Sequence, residues 1–176
     1  MIDTALIGKL AGIVSFLGFI PYIWGILQGR VKPSIATWSI WTLIGASLFI
    51  SYLKVSYQID DSIWVPLSYV IGPFIISILC LWYGDRTYGR LDIFCFILSV
   101  SSLCLSYILN NFALSLFANI LADFLGAFPT IQKSYKEPES EDITAWSIFF
   151  VGNGLNLMAL NSLSQIEAVY PLYLFL

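Results

Sequence analysis

The chain predicts an all-α integral membrane protein: seven transmembrane helices, built as two parallel three-helix repeats around a linker helix (3+1+3), the last helix short or truncated. Three observations carry this expectation. Of 176 residues, 59% are hydrophobic and 11% charged, and mean hydropathy is +0.84, outside the usual range for a soluble domain of this length. Charged and turn-forming clusters divide the chain into seven apolar stretches, six of them long enough to cross a bilayer. Finally, residues 16–41, FLGFIPYIWGILQGRVKPSIATWSIW, return 108 positions later as residues 124–149, FLGAFPTIQKSYKEPESEDITAWSIF, with nine ungapped identities. Those identities include Gly18/Gly126, Pro21/Pro129 and Trp38/Trp146, residue types too scarce here for chance to align them.

The stretches lie near 6–28, 35–53, 62–83, 91–109, 112–133, 143–163 and 166–176. A helix rises about 1.5 Å per residue, so about 20 residues cross a hydrocarbon core of about 30 Å. The first stretch has no basic n-region and no small-residue cleavage site, and reads as a retained span. The 108-residue period separates each residue from its copy by four spans, an even number, so the two units run in the same direction. Residues 1–84 then form the first triple, 85–110 the linker and 111–176 the second triple. Adding 108 to segment three gives 170–191, so the seventh helix is expected to be incomplete. Either the chain is a truncated product, or the last helix is a half-span, open to completion by a second copy.

Basic residues set the orientation. With the N-terminus outside, Arg30, Lys32, Arg86, Arg90, Lys133 and Lys136 fall on the cytoplasmic side, against Lys9 and Lys54 opposite. That asymmetry satisfies the positive-inside rule and puts the C-terminus in the cytoplasm.

Polar residues inside apolar stretches mark where chemistry can sit. Pro21 and Pro129 each remove a helix hydrogen bond and push on the preceding turn, so they read as paired hinges or as fixed kinks. Gly18 and Gly126, three residues before them, permit close helix approach. Asp123 lies halfway along segment five, where a carboxylate costs roughly 2.5–3.5 kcal/mol on insertion scales and usually faces a cavity. Asn119, Asp123, Gly126 and Thr130 recur at helical spacing and share one face. Trp146, Asn153 and Asn156 form a stripe on segment six, and Trp38 and Trp41 one on segment two. Both Trp38 and Trp146 also suit headgroup anchoring. Segment three offers Tyr69, between Pro66 and Pro73. Converging, these faces would enclose a small amphipathic pocket for a small polar solute. The acidic run KEPESED, residues 136–142, reads as a solvated loop.

Other chemistries find little footing. Histidine is absent, and Cys80, Cys95 and Cys104 show no metal-ligand spacing. No nucleophile and base pair suggests an enzyme, no residues suggest a metal or cofactor, and the few basic residues argue against nucleic acid.

The repeated phrase, a helix ending in Gly-x-x-Pro, a short basic loop and a Trp-bearing helix, resembles the PQ-loop/SWEET-like transporter superfamily. The second copy, LADFLGAFPTIQKSYKEPESEDITAWSIF, is similar to the second repeat of its proton-coupled members. The signature dipeptide itself is absent: Tyr22 follows Pro21, and Thr130 follows Pro129. The resemblance implies N-out, C-in topology, transport of a small polar solute by alternating access, and protonation at Asp123. Two other branches remain open. One is a sugar facilitator of the SWEET kind, although segment three lacks the asparagine such carriers place there. The other is a peptide-binding receptor resembling the KDEL receptor, although no Lys or Arg lies deep in a span.

Overall fold

A computed structural model describes residues 4–55, 64–85, 89–108, 112–159 and 169–176. Seven α-helices carry these residues: α1 (Thr4–Leu27), α2 (Ile35–Val55), α3 (Trp64–Tyr83), α4 (Arg90–Ile108), α5 (Phe112–Lys136), α6 (Ile143–Met158) and α7 (Val169–Phe175). A 3₁₀ turn, Pro138–Ser140, precedes α6. Among the described residues there is no β-strand, only an isolated bridge between Ser34 and Asp85. Arg86 lies outside the described residues, as do the side chains of Lys54 and Pro66. The sequence reading expects six stretches of spanning length. By length and composition one described helix, Leu6–Leu27, is long and apolar enough to cross a membrane, and Ile35–Ser47, Ser68–Tyr83 and Ile143–Met158 are shorter apolar helices.

Local sequence explains how the helices begin and end. Gly29, at φ +70°, ends α1 in a left-handed residue that favours glycine. Its amide bonds the Ile26 carbonyl at 2.9 Å and that of Arg30 bonds Gly25 at 3.0 Å, the paired closure of a Schellman turn. Ser34 and Asp142, 108 residues apart, start α2 and α6 alike. The Ser34 hydroxyl accepts from the Thr37 amide at 3.4 Å, and Asp142 Oδ1 accepts from the Ala145 amide at 2.9 Å, each satisfying an N–H left open in a first turn. Pro21 and Pro129 lie within α1 and α5, which continue through them. Pro73 likewise sits inside α3.

Packing arranges six of the helices as a ring. In the order α1, α3, α2, α5, α7, α6, each packs on the next, and α6 closes back on α1. The α4 helix lies against α5 and α2. Glycines set the two cross-contacts between the halves of the chain. A Cβ on Gly18 of α1 would come within 2.7 Å of the Phe149 ring on α6, and one on Gly126 of α5 within 2.6 Å of Ile40 on α2. At Gly45 of α2 an added Cβ would strike the Tyr69 backbone carbonyl, which cannot swing aside. Gly45→Ala is therefore expected to lose about 1–3 kcal/mol to overpacking, read as a lower unfolding temperature of the purified protein. An unchanged melt would show that α2 and α3 can separate there without cost.

Large apolar side chains are exposed on several helices, and polar ones are buried beside the apolar core. Leu10, Ile13, Leu17, Ile20 and Trp24 of α1, Phe74, Ile78 and Leu81 of α3, and Ile93, Phe94 and Ile97 of α4 are exposed. Ser15, Thr37, Ser47, Ser68, Ser99, Ser102, Asp123 and Thr130 are buried. Ser99 and Ser102 donate to the Ala122 and Ala118 carbonyls at 3.0 and 2.6 Å, fastening α4 to α5. Apolar patches this extensive mark surfaces that face something other than water.

Candidate functional site

Inside the ring is a cavity of about 170 Å³. Its walls are Phe19 of α1, Trp38, Trp41, Ile44 and Gly45 of α2, Tyr69 and Pro73 of α3, Asp123 of α5, Trp146, Phe149 and Asn153 of α6, and Leu174 of α7. Every helix of the ring contributes. On one side the aromatic rings pack mostly edge to face: Phe19 against Phe149 at 4.9 Å, Trp38 against Trp41 at 5.0 Å, Trp146 against Phe149 at 5.8 Å and against Trp41 at 6.1 Å, the arrangement that ring quadrupoles favour.

Polar side chains cross the other side. Tyr173 of α7 donates its hydroxyl to Asp123 Oδ2 at 3.0 Å. Tyr69 donates to Asn153 Oδ1 at 3.3 Å, and Asn153 Nδ2 donates to the Leu174 carbonyl at 3.1 Å. Ser15 and Asp123, 108 residues apart in the sequence, are both buried, on α1 and α5.

A second polar cluster seals the end of the ring near the α1–α2 and α5–α6 connections. Glu141 stands at its centre. Its carboxylate accepts from Tyr22 Oη at 2.8 Å, from Trp146 Nε1 at 3.1 Å and from Lys133 Nζ at 2.9 Å. The Glu141 and Lys133 side chains are only 6% and 11% exposed. Lys133 also donates to the Lys32 carbonyl, and Trp38 Nε1 donates to Tyr22 Oη at 3.2 Å. Thr130 donates to Thr37 at 2.9 Å beside them. One carboxylate thus ties α1, α5 and α6 directly and α2 through Tyr22. Asp142, next in sequence, is buried and lies 3.8 Å from Arg30. These two residues correct the expectation that 136–142 is simply a solvated loop. Composition alone suggests solvent, but capping α6 turns Asp142 inward, and Lys133 and Trp146 from the adjoining helices and Tyr22 from distant α1 satisfy Glu141.

Most of the sequence-derived site residues meet. Asp123, Trp38, Trp41, Trp146, Asn153 and Tyr69 line one cavity. Trp38 is 1% exposed, which leaves it no headgroup to anchor. Asn119 and Asn156 are half-buried and do not line the cavity. Each lies about one helical turn, about 5.4 Å, from Asp123 or Asn153, and the cavity is shorter than the stripes that spacing defines. Asn119 Oδ1 and Trp41 Nε1 are buried without a hydrogen-bond partner. Sequence reading missed Glu141. Its signal was an acid just ahead of a helix whose first turn carries Trp146, eight residues after Lys133 at the end of α5.

No protein-family model matches the chain, and no curated protein matches it either.

Proposed function

We propose that this chain is a membrane transporter of the PQ-loop/SWEET-like kind, with two parallel triples joined by α4, its N-terminus outside, and that it moves a small polar solute by alternating access with a proton on Asp123. The observation that carries this reading is a buried carboxylate in an otherwise largely apolar cavity at the centre of the helix ring. Such a group is costly unless it has a task. The exposed apolar side chains of α1, α3 and α4, with Ser, Thr and Asp side chains among the buried ones, support a bilayer as solvent, and the cross-contacts at Gly18 and Gly126, 108 residues apart, support the repeat. Parallel repeats with the substrate between them are a known transporter plan.

On this reading the Glu141 cluster closes the cytoplasmic end, held by Lys133 in the last turn of α5 and by Arg30 and the Lys32 carbonyl of the α1–α2 loop, while Pro21 and Pro129 let α1 and α5 bend when it opens. The groups that bear on the proton at Asp123 are Tyr173 from α7 and Tyr69 from α3. From α2 the cavity walls are Trp38, Trp41, Ile44 and Gly45, and from α4 Ser99 and Ser102 bond the α5 backbone; none of these is charged.

The test is solute-dependent proton movement in proteoliposomes loaded with a pH dye, for wild type and Asp123→Asn, across amino acids, sugars, nucleosides and small amines. Uptake coupled to proton movement, lost in Asp123→Asn, is expected. Equal uptake in both without proton flux would make the protein a facilitator, and no movement of any solute would overturn transport.

A further inference from the structure

The chemistry of the cavity bears on which solute it takes. Six aromatic side chains, from Phe19 to Phe149, surround a single carboxylate, and no basic side chain is among the lining residues. A sugar needs many exchangeable hydrogen bonds. Here the polar groups are few and already engaged with one another: Tyr69 with Asn153, Asn153 with the Leu174 carbonyl, and Tyr173 with Asp123. An anion would meet Asp123 with no cation in the wall to offset it. A cation, by contrast, gains from both kinds of wall. Aromatic faces attract ammonium groups within about 6 Å of the ring centre, by up to about 2 kcal/mol or more when water is excluded, and cages of such rings are used to hold quaternary ammonium ligands. An ionised carboxylate has about four lone-pair sites, and Tyr173 takes one of them.

Building on the transport reading, we propose that the cavity is a site for a small organic monocation, an amine or quaternary ammonium, caged by Trp38, Trp41, Trp146 and Phe149 and charge-paired with Asp123. A volume of about 170 Å³ limits the ligand to a compact one, since drug-sized ligands occupy pockets of about 300–1,000 Å³. The buried Trp41 indole N–H, lacking a partner, would be satisfied by an oxygen on the same molecule. Cation and proton then compete for one carboxylate, with Tyr173 and Tyr69 the other titratable groups facing it, and this competition makes transport an exchange of one for the other.

Binding to the purified full-length protein, by calorimetry and by quenching of tryptophan fluorescence, tests this without requiring transport. The probes are choline and its uncharged isostere 3,3-dimethyl-1-butanol. Choline is expected to bind about tenfold or more tighter than the neutral isostere. In Asp123→Asn, with folding checked by thermal melt, that preference should collapse toward equality. Trp41→Leu should weaken both compounds, which share the hydroxyl that the indole N–H would meet, and choline the more, since it alone also loses a cation–π face. Equal binding of the two compounds by wild type, a preference retained in Asp123→Asn, or no binding of choline would each overturn the proposal. A choline preference without movement of any solute in proteoliposomes would uphold the cation site and sink the transport reading. Proton-coupled uptake of a neutral solute without a choline preference would do the reverse.

Discussion

Replacing Glu141 with alanine is expected to lower the unfolding free energy by about 3–5 kcal/mol, the usual result of removing one member of a buried ion pair. Taking the carboxylate away leaves the Lys133 ammonium, 11% exposed, without its counter-charge. Tyr22 and Trp146 lose their acceptor as well. Glu141→Gln should cost less, because its amide oxygen can still accept from Tyr22 or Trp146. The double variant Glu141→Leu/Lys133→Met should recover a large part of the loss, since replacing a whole buried pair by apolar side chains of similar volume is often close to neutral. Denaturant or thermal unfolding in detergent reads all three. If Glu141→Ala melts with wild type, the cluster is an incidental contact. On the transport reading the same variant also loosens the closed end, so faster solute release toward that side should accompany its lower stability.

Trp38→Ala is expected to cost about 3–5 kcal/mol, the range for emptying a buried aromatic site. The indole is 1% exposed, lies 4.9 Å from the Tyr22 ring, 6.3 Å from Phe19 and 5.0 Å from Trp41, and donates to Tyr22 Oη. Trp38→Phe keeps most of the ring and loses the N–H, so about 1–3 kcal/mol should separate it from wild type. The comparison divides packing from hydrogen bonding. Because Trp38 belongs both to the cavity wall and to the Tyr22–Glu141 cluster, Trp38→Phe should alter solute affinity and the stability of the closed end together. A Trp38→Ala protein as stable as wild type would mean that neighbouring rings collapse into the space.

Several features were legible in the residues. Hydrophobic run length gave the helices, and the Ser34/Asp142 starts and the Pro21/Pro129 positions fall where the repeat puts them. Asp123 stood out because it is a charge among apolar neighbours. Helical spacing put Asp123 on a face of segment five, Trp146 and Asn153 on one of segment six and Trp38 and Trp41 on one of segment two; these residues and Tyr69 line one cavity, while Asn119 and Asn156 lie off it, because a face is as long as its helix and a cavity is not. The acidic run was misjudged for a related reason. A composition rule sees six polar residues and a proline; it does not see that Lys133, Tyr22 and Trp146 converge on one of them.

Where the helices run and that Asp123 sits among apolar neighbours can be read from the residues alone, because hydrophobicity and helical period are local properties. Which helices neighbour one another, the pairing of Asp123 with Tyr173 across 50 residues and the capture of Glu141 by Tyr22 across 119 were decided only by the tertiary structure. Such partners meet only after the ring has closed, and burial then makes an unpaired carboxylate too costly to leave unsatisfied.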